Sequence, residues 1–314
     1  MRCFFIKWPI DKFFTKFIKK HILTFSKLKV TERRLIKMQK VKYEIKHLTM
    51  RVVDEQRTRM FYEKVLGFID VKSDEKEINY AFRKGEEPFL TMLLGGKAQT
   101  VAQTGLYHMA LLFPNAAELA SILHRLLTLQ IPVGAGDHSV SEALYINDFE
   151  GNGIELYHDR DAAGWIWQDG LVTMGTGEVD GEKLLAKKQH DWAGFPVGMQ
   201  IGHLHFMGNN LVNADEFFME FLNMDLVSKV TTSAHFYSNN HYHHHHAVNL
   251  WQSENSELRR LDEAGLIDWS VLVDQDYFDL LTQRAKLLSG VVSINTQQIK
   301  VTDPMGTTLS ITHD

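Results

Sequence analysis

Hydrophobic and polar positions recur along this chain in a fixed order. Residues 45–71, IKHLTMRVVDEQRTRMFYEKVLGFIDV, alternate like a strand, then take helical spacing, then return to alternation. Residues 201–227, IGHLHFMGNNLVNADEFFMEFLNMDLV, repeat that pattern without a gap at an offset of 156. His47 falls on His203, Phe61 on Phe217 and Leu66 on Leu222. Gly67 falls on Asn223, two residue types that tolerate the left-handed conformation closing a helix. A second pair of segments starts at Gly105 (GLYHMALLF) and Gly265 (GLIDWSVLV). NDFEGNGIELY then resembles TDPMGTTLSIT, with Asp148 over Asp303 and Gly151 over Gly306. Between the second module's strands, Asn115 is a helix N-cap, and Leu119, Ile122, Leu123, Leu126 and Leu127 form one apolar stripe.

The chain therefore reads as four modules of about 50 residues, at 43–96, 104–157, 198–252 and 265–312. Each is a strand, a helix, then about three strands. Four βαβββ units predict an α+β architecture of two curved sheets with helices outside. The expected division is a basic extension (1–40), a first domain (43–157), a connector with Trp165 and Trp167 (158–197), and a second domain (198–314).

Charge is divided unevenly. Residues 1–40 carry 12 Lys+Arg against 2 Asp+Glu, or +10; the remainder carries 22 against 37, or −15, giving the net −5. An acidic body argues against nucleic acid as the main partner. The basic head mixes Phe and Ile with Lys, which suits weak contact with an anionic membrane surface. It lacks the features of a secretory signal, and the blander reading is a leader ahead of a fold starting near Met38. The single cysteine, Cys3, permits no intramolecular disulfide, which fits a reducing, cytoplasmic setting.

The chemistry-bearing residues lie at equivalent places in the repeats. First-strand positions hold His47, His108, His203 and Asp268. Last strands offer Glu155 in module two and Ser310 at the same place in module four. Two imidazoles and one carboxylate on strands leave coordination positions open and suit Fe(II); Mn, Ni and Zn accept the same residue types. The tract HYHHHHAVNLW, from His241 to Trp251, reads as a strand, so His244 and His246 share one face with Val248 and Leu250.

This arrangement resembles the vicinal oxygen chelate superfamily of glyoxalases and extradiol dioxygenases, over about 270 residues. GDHSVSEALYINDFEGNGIE, Gly136 to Glu155, resembles the extradiol dioxygenase fingerprint at Gly136, His138, Leu144, Tyr145, Asp148, Gly151 and Glu155; Phe149 stands where that pattern has proline. The resemblance implies two glyoxalase/extradiol-dioxygenase-like domains and cleavage of catechol or a related aromatic diol by O2 at Fe(II). It implies His108 and Glu155 as metal ligands, completed by His203 or by His47; His203 is favoured because its module carries the histidine tract. It further implies that a histidine of that tract is the acid–base group, His246 ahead of His244, and that His138 lies near the substrate. A homo-oligomer is the assembly implied. Two alternatives stand beside this reading: a glyoxalase-type metal-dependent isomerase or lyase, and a non-catalytic small-molecule binder.

Overall fold

The computed structural model describes residues 40–230 and 232–314, so the basic head and Cys3 lie outside the described residues. Residues 41–314 form one compact unit.

Module one comprises β1 (Tyr43–Arg51), α1 (Glu55–Arg59), β2 (Ile69–Asp70), β3 (Glu77–Ala81) and β4 (Leu90–Leu93). Module two comprises β5 (Gly105–Leu112), α2 (Ala116–Thr128), β6 (Gly134–Asp137), β7 (Ser141–Asn147) and β8 (Gly153–Asp159). The connector holds a hairpin, β9 (Trp167–Gln168) with β10 (Leu171–Val172), and one short helix, α3 (Gly181–Leu185). Module three comprises β11 (Gln200–Met207), α4 (Leu211–Asp215), β12 (Asp225–Val230), β13 (Ala234–Ser238) and β14 (His246–Asn249). Module four comprises β15 (Gly265–Val273), α5 (Gln275–Ala285), β16 (Val291–Ile294), β17 (Gln298–Thr302) and β18 (Thr308–His313).

All four modules share one connectivity. The first strand pairs parallel with the last, as β1 with β4, β5 with β8, β11 with β14 and β15 with β18. The last three strands form an antiparallel meander. Modules then join through first strands: β1 lies antiparallel to β15, and β5 antiparallel to β11. Modules one and four thus build one half, and modules two and three the other. The expected two sheets are continuous as 16 strands, bridged where Ile45 pairs with Ile201.

Local chemistry accounts for the repeated elements. Asp54 and Asn210 cap α1 and α4 by accepting from Arg57 and Val212 backbone N–H groups. Both helices widen into a π turn, over Met60–Leu66 and Glu216–Phe221. Gly67 (φ 89°) and Asn223 (φ 56°) then take the left-handed conformation. Asn115 caps α2 through Ala117 and Glu118 N–H. Its stripe buries Leu119, Ile122, Leu123 and Leu126; Leu127, expected on that stripe, is exposed.

The Asp148 and Asp303 turns are also matched. Asp148 Oδ1 accepts from Glu150 and Asn152 N–H, both at 2.8 Å, and Asp303 Oδ1 accepts from Met305 and Thr307 N–H at 2.9 and 3.0 Å. Gly151 (φ 92°) and Gly306 (φ 83°) supply the positive φ. Phe149, in place of proline, leaves this turn intact. Among the described residues, no helix is long and apolar enough to cross a membrane.

Candidate metal centre

Strand parity decides which side chains meet between modules two and three. On β11, His203 and His205 point to one face, while Leu204 and Phe206 enter the core on the other. β5 lies opposite, with His108 across from His205. β8 lies beside β5, with Glu155 next to Ala110. Three buried residues converge: one ligand atom each from His108, Glu155 and His203 lies within 4.8 Å of the others. Glu155 Oε2 is 3.0 Å from His108 Nε2 and 3.1 Å from His203 Nε2.

The donor set fits a cation. Glu155 is 3 % exposed, and its ion-pair partners among the described residues are the two imidazoles alone. Burial raises its carboxyl, but His203 and His108 outweigh that and hold it well below the usual carboxylate range. Burial lowers His203, with Glu155 opposing only in part. An ionised carboxylate and a neutral imidazole are the forms a metal requires. His108 Nε2, though close to Glu155, is buried without a hydrogen bond of proper geometry. A buried anion with no Lys or Arg, beside a ring nitrogen without a partner, is costly unless a cation completes the group.

The candidate residues picked out from the sequence are distributed unequally about this cluster. His47 lies in the other half, on β1, with Nε2 3.0 Å from Thr91 Oγ1. Thr91 pairs with Thr49 as Glu155 pairs with Ala110, so a hydroxyl stands where module two has its carboxylate. His138 reaches the cluster through Tyr145. Its Nδ1–H donates to the Gly175 carbonyl at 2.8 Å, and its Nε2 lies 2.6 Å from Tyr145 Oη. The Tyr145 ring lies 5.6 Å from that of His108.

The histidine tract requires a correction. It is not one strand: β14 begins only at His246, and residues 241–245 are a turn. His244 and His246 therefore do not share a face. His246 lies beside Leu204, on the core side of the sheet, opposite His203 and His205. Its ring packs against Phe218, Trp269 and Phe206, and its Nε2 lies 2.7 Å from Tyr43 Oη. The face shared with Val248 is the apolar interior, so His246 is not placed to meet a ligand at the cluster. His244 is: its ring centroid is 4.1 Å from that of His203. Burial, then His203 and His243, lower it well below an ordinary histidine.

Two further groups border the cluster. His205 is buried 4.8 Å from the His108 ring and accepts from Asn249 Nδ2 at 3.0 Å. Its signal was present, since HLH on a strand places both histidines on one face. The connector packs against the histidine tract. Trp165 stands edge-on to His243, Trp167 stacks on His241 at 3.7 Å, and Val172 packs with Val140 and Val227.

Residues 44–156 match the family described as the Glyoxalase/Bleomycin resistance protein/Dioxygenase superfamily. The chain is 33% identical over 265 residues to a catechol-2,3-dioxygenase of Bacillus subtilis (strain 168), covering 82% of this chain and 92% of that protein. Among solved structures, a putative dioxygenase from Bacillus subtilis aligns with a TM-score of 0.60 at 17% identity, over 86% of this chain and 85% of that one. Glyoxalase I from Zea mays aligns with a TM-score of 0.51 at 13% identity, over 87% and 93%. The structural likenesses carry the fold, and the identity to the Bacillus protein carries the family: the chain belongs to the glyoxalase/bleomycin resistance protein/dioxygenase superfamily, an α+β family of metal-dependent enzymes, and holds a candidate His/Glu metal site in its second and third modules.

Proposed function

We propose that this protein is an Fe(II)-dependent extradiol dioxygenase that opens the ring of catechol or a related aromatic diol with O2. The observation that carries the reading is the buried convergence of His108, Glu155 and His203. Two imidazoles and one carboxylate form a facial set that leaves positions for substrate. Bound there, Fe(II) would acidify a diol hydroxyl and hold the diol beside O2.

The chain's own residues supply the rest. His244, neutral and beside His203, accepts a proton from the substrate hydroxyl and returns it later. Tyr145, oriented by His138, places an oxygen beside His108 and Glu155. Trp165 and the Val140–Val172–Val227 cluster shield this side from water, which strengthens electrostatic contacts within.

The glyoxalase-type alternative takes a second carboxylate from the partner module. The equivalent place in module three is Ala247, beside His205 as Glu155 is beside Ala110. That favours the dioxygenase. Anaerobic loading with Fe(II), then catechol and air, tests it by oxygen uptake and by visible absorbance from a yellow ring-opened semialdehyde. No uptake with any diol, alongside formation of lactoylglutathione, would assign the isomerase instead.

A further inference from the structure

A cavity of about 490 Å³ opens on the helix side of the sheet and shares no residue with the metal centre. It lies between Gly67 at the end of the first π turn, β2, the β3–β4 turn, α2 and the connector. Phe82 and Phe195 form its floor, with ring centroids 5.3 Å apart. Both belong to the core that Leu204 and Phe206 enter, on the face opposite His203 and His205. Trp192 makes one wall, edge-on to Phe195. Its indole N–H donates to the Leu66 carbonyl at 3.2 Å, which fixes the ring.

The rim is cationic. Arg83, Lys84 and Arg125 line the cavity, and no Asp or Glu does. The Lys84 side chain has no ion pair or hydrogen bond among the described residues. Arg83 faces Glu86 at 3.6 Å, and both side chains are about 40% exposed, so that pair adds little. Arg125 is anchored at the end of the π turn, where its Nε donates to the Val65 carbonyl at 2.7 Å and one terminal nitrogen donates to the Lys64 carbonyl. Its other terminal nitrogen has no hydrogen bond among the described residues. Nearby acids are engaged elsewhere: Asp70 pairs with Arg59 at 2.8 Å, and Asp191 with Lys188 at 2.5 Å.

We infer that this cavity binds a small organic anion with a flat apolar body, of the aromatic carboxylate class. Its volume falls within the roughly 300–1,000 Å³ of ligand clefts, and an aromatic floor with a few polar groups is their usual lining. The flat body packs on Phe82 and Trp192, while the carboxylate meets Arg83 and Lys84, whose charge is otherwise uncompensated. A neutral aromatic would leave three cations without a counter-charge, and an inorganic anion would leave the aromatic floor in water. The basic head, residues 1–40 at +10, has the wrong charge for this rim. The inference does not depend on the dioxygenase reading.

The test titrates 2-naphthoate into full-length protein labelled with 15N-tryptophan. Indole N–H signals report the six tryptophans separately, and that of Trp192 is assigned by its loss in Trp192→Phe. The expected result is a saturable shift of the Trp192 signal, with Trp165 and Trp251, which border the metal centre, unmoved at the same concentrations. The double variant Arg83→Glu/Lys84→Glu reverses the rim charge at two exposed positions and should raise Kd about tenfold or more. The neutral analogue 2-naphthalenemethanol should bind about tenfold more weakly than the carboxylate. No saturable shift at Trp192, shifts confined to Trp165 and Trp251, or an unchanged Kd in the double variant overturns the inference. If the double variant does not fold, the ratio of the two ligands' Kd values on wild type decides it, and equal values refute the anion site.

Discussion

The placement of His246 in the core makes a prediction that separates packing from catalysis. The pair Tyr43 Oη···His246 Nε2, at 2.7 Å, is enclosed by Phe206, Phe218 and Trp269. His246 Nδ1 is buried with no partner. Burial lowers the His246 imidazole well below its ordinary value, so the ring is neutral. A buried polar atom without a partner costs about 1–3 kcal/mol, while the made pair is worth about 1 kcal/mol net. Tyr43→Phe leaves both ring nitrogens unpaired, and should destabilise by about 1–3 kcal/mol. His246→Phe strands the tyrosine hydroxyl but removes the unpaired Nδ1, so it should be near neutral. The double variant strands nothing and should be the most stable of the four proteins, by up to about 2 kcal/mol over wild type. The coupling between the two positions is then about 1–5 kcal/mol. Denaturant unfolding measures it, and Tyr43→Phe should melt several degrees lower, at ~2 °C per kcal/mol for a chain of this size. The double variant should keep catechol turnover within about threefold. A double variant less stable than Tyr43→Phe, or one that holds its stability but loses turnover a hundredfold, would refute the reasoning.

Other outcomes follow from the same geometry. Asp137 receives both Arg160 nitrogens at 2.5 and 2.8 Å, and that pairing lowers its carboxyl from 3.8 to about 2. A depressed carboxylate stabilises the fold above its unfolded pKa, and that stability is lost as pH falls from 3.8 through about 2. Asp137→Asn should therefore lower stability by about 1 kcal/mol at pH 7, after discounting for partial exposure, and the difference should vanish near pH 2 in urea titrations. At Gly202, an added Cβ would lie 1.8 Å from Tyr157 Oη. Gly202→Ala should force Tyr157 aside, break its bond to Tyr242 and destabilise by about 1–3 kcal/mol, with Tyr157→Phe recovering only part because the ring carbons also clash. An unchanged melting temperature in Gly202→Ala would contradict the close approach.

Much of the fold was legible because it is written locally and repeated. The Asn115 cap, the Gly67 and Asn223 helix ends and the paired Asp148 and Asp303 turns each depend on a few adjacent residues. The choice between His203 and His47 was not local. It depends on β11 lying beside β5 rather than β1 lying there, and that pairing joins segments about a hundred residues apart. The histidine tract misled for a related reason. Period-two parity holds only inside a strand, and the chain turns until His246. Even within β14, parity cannot say which face is the core; Leu204 on the neighbouring strand decides that. The contact of His243 with Asp159 had no local sign either, because the two are 84 residues apart. His205 could have been read from HLH.

The central claim is that one metal binds between modules two and three, on His108, Glu155 and His203. Its most direct test is iron stoichiometry under anaerobic conditions for wild type, His203→Ala and His47→Ala, each with folding checked by circular dichroism. The account predicts one Fe(II) per chain in wild type and in His47→Ala, and a loss of binding in His203→Ala. Full iron in His203→Ala, with loss in His47→Ala, would contradict it.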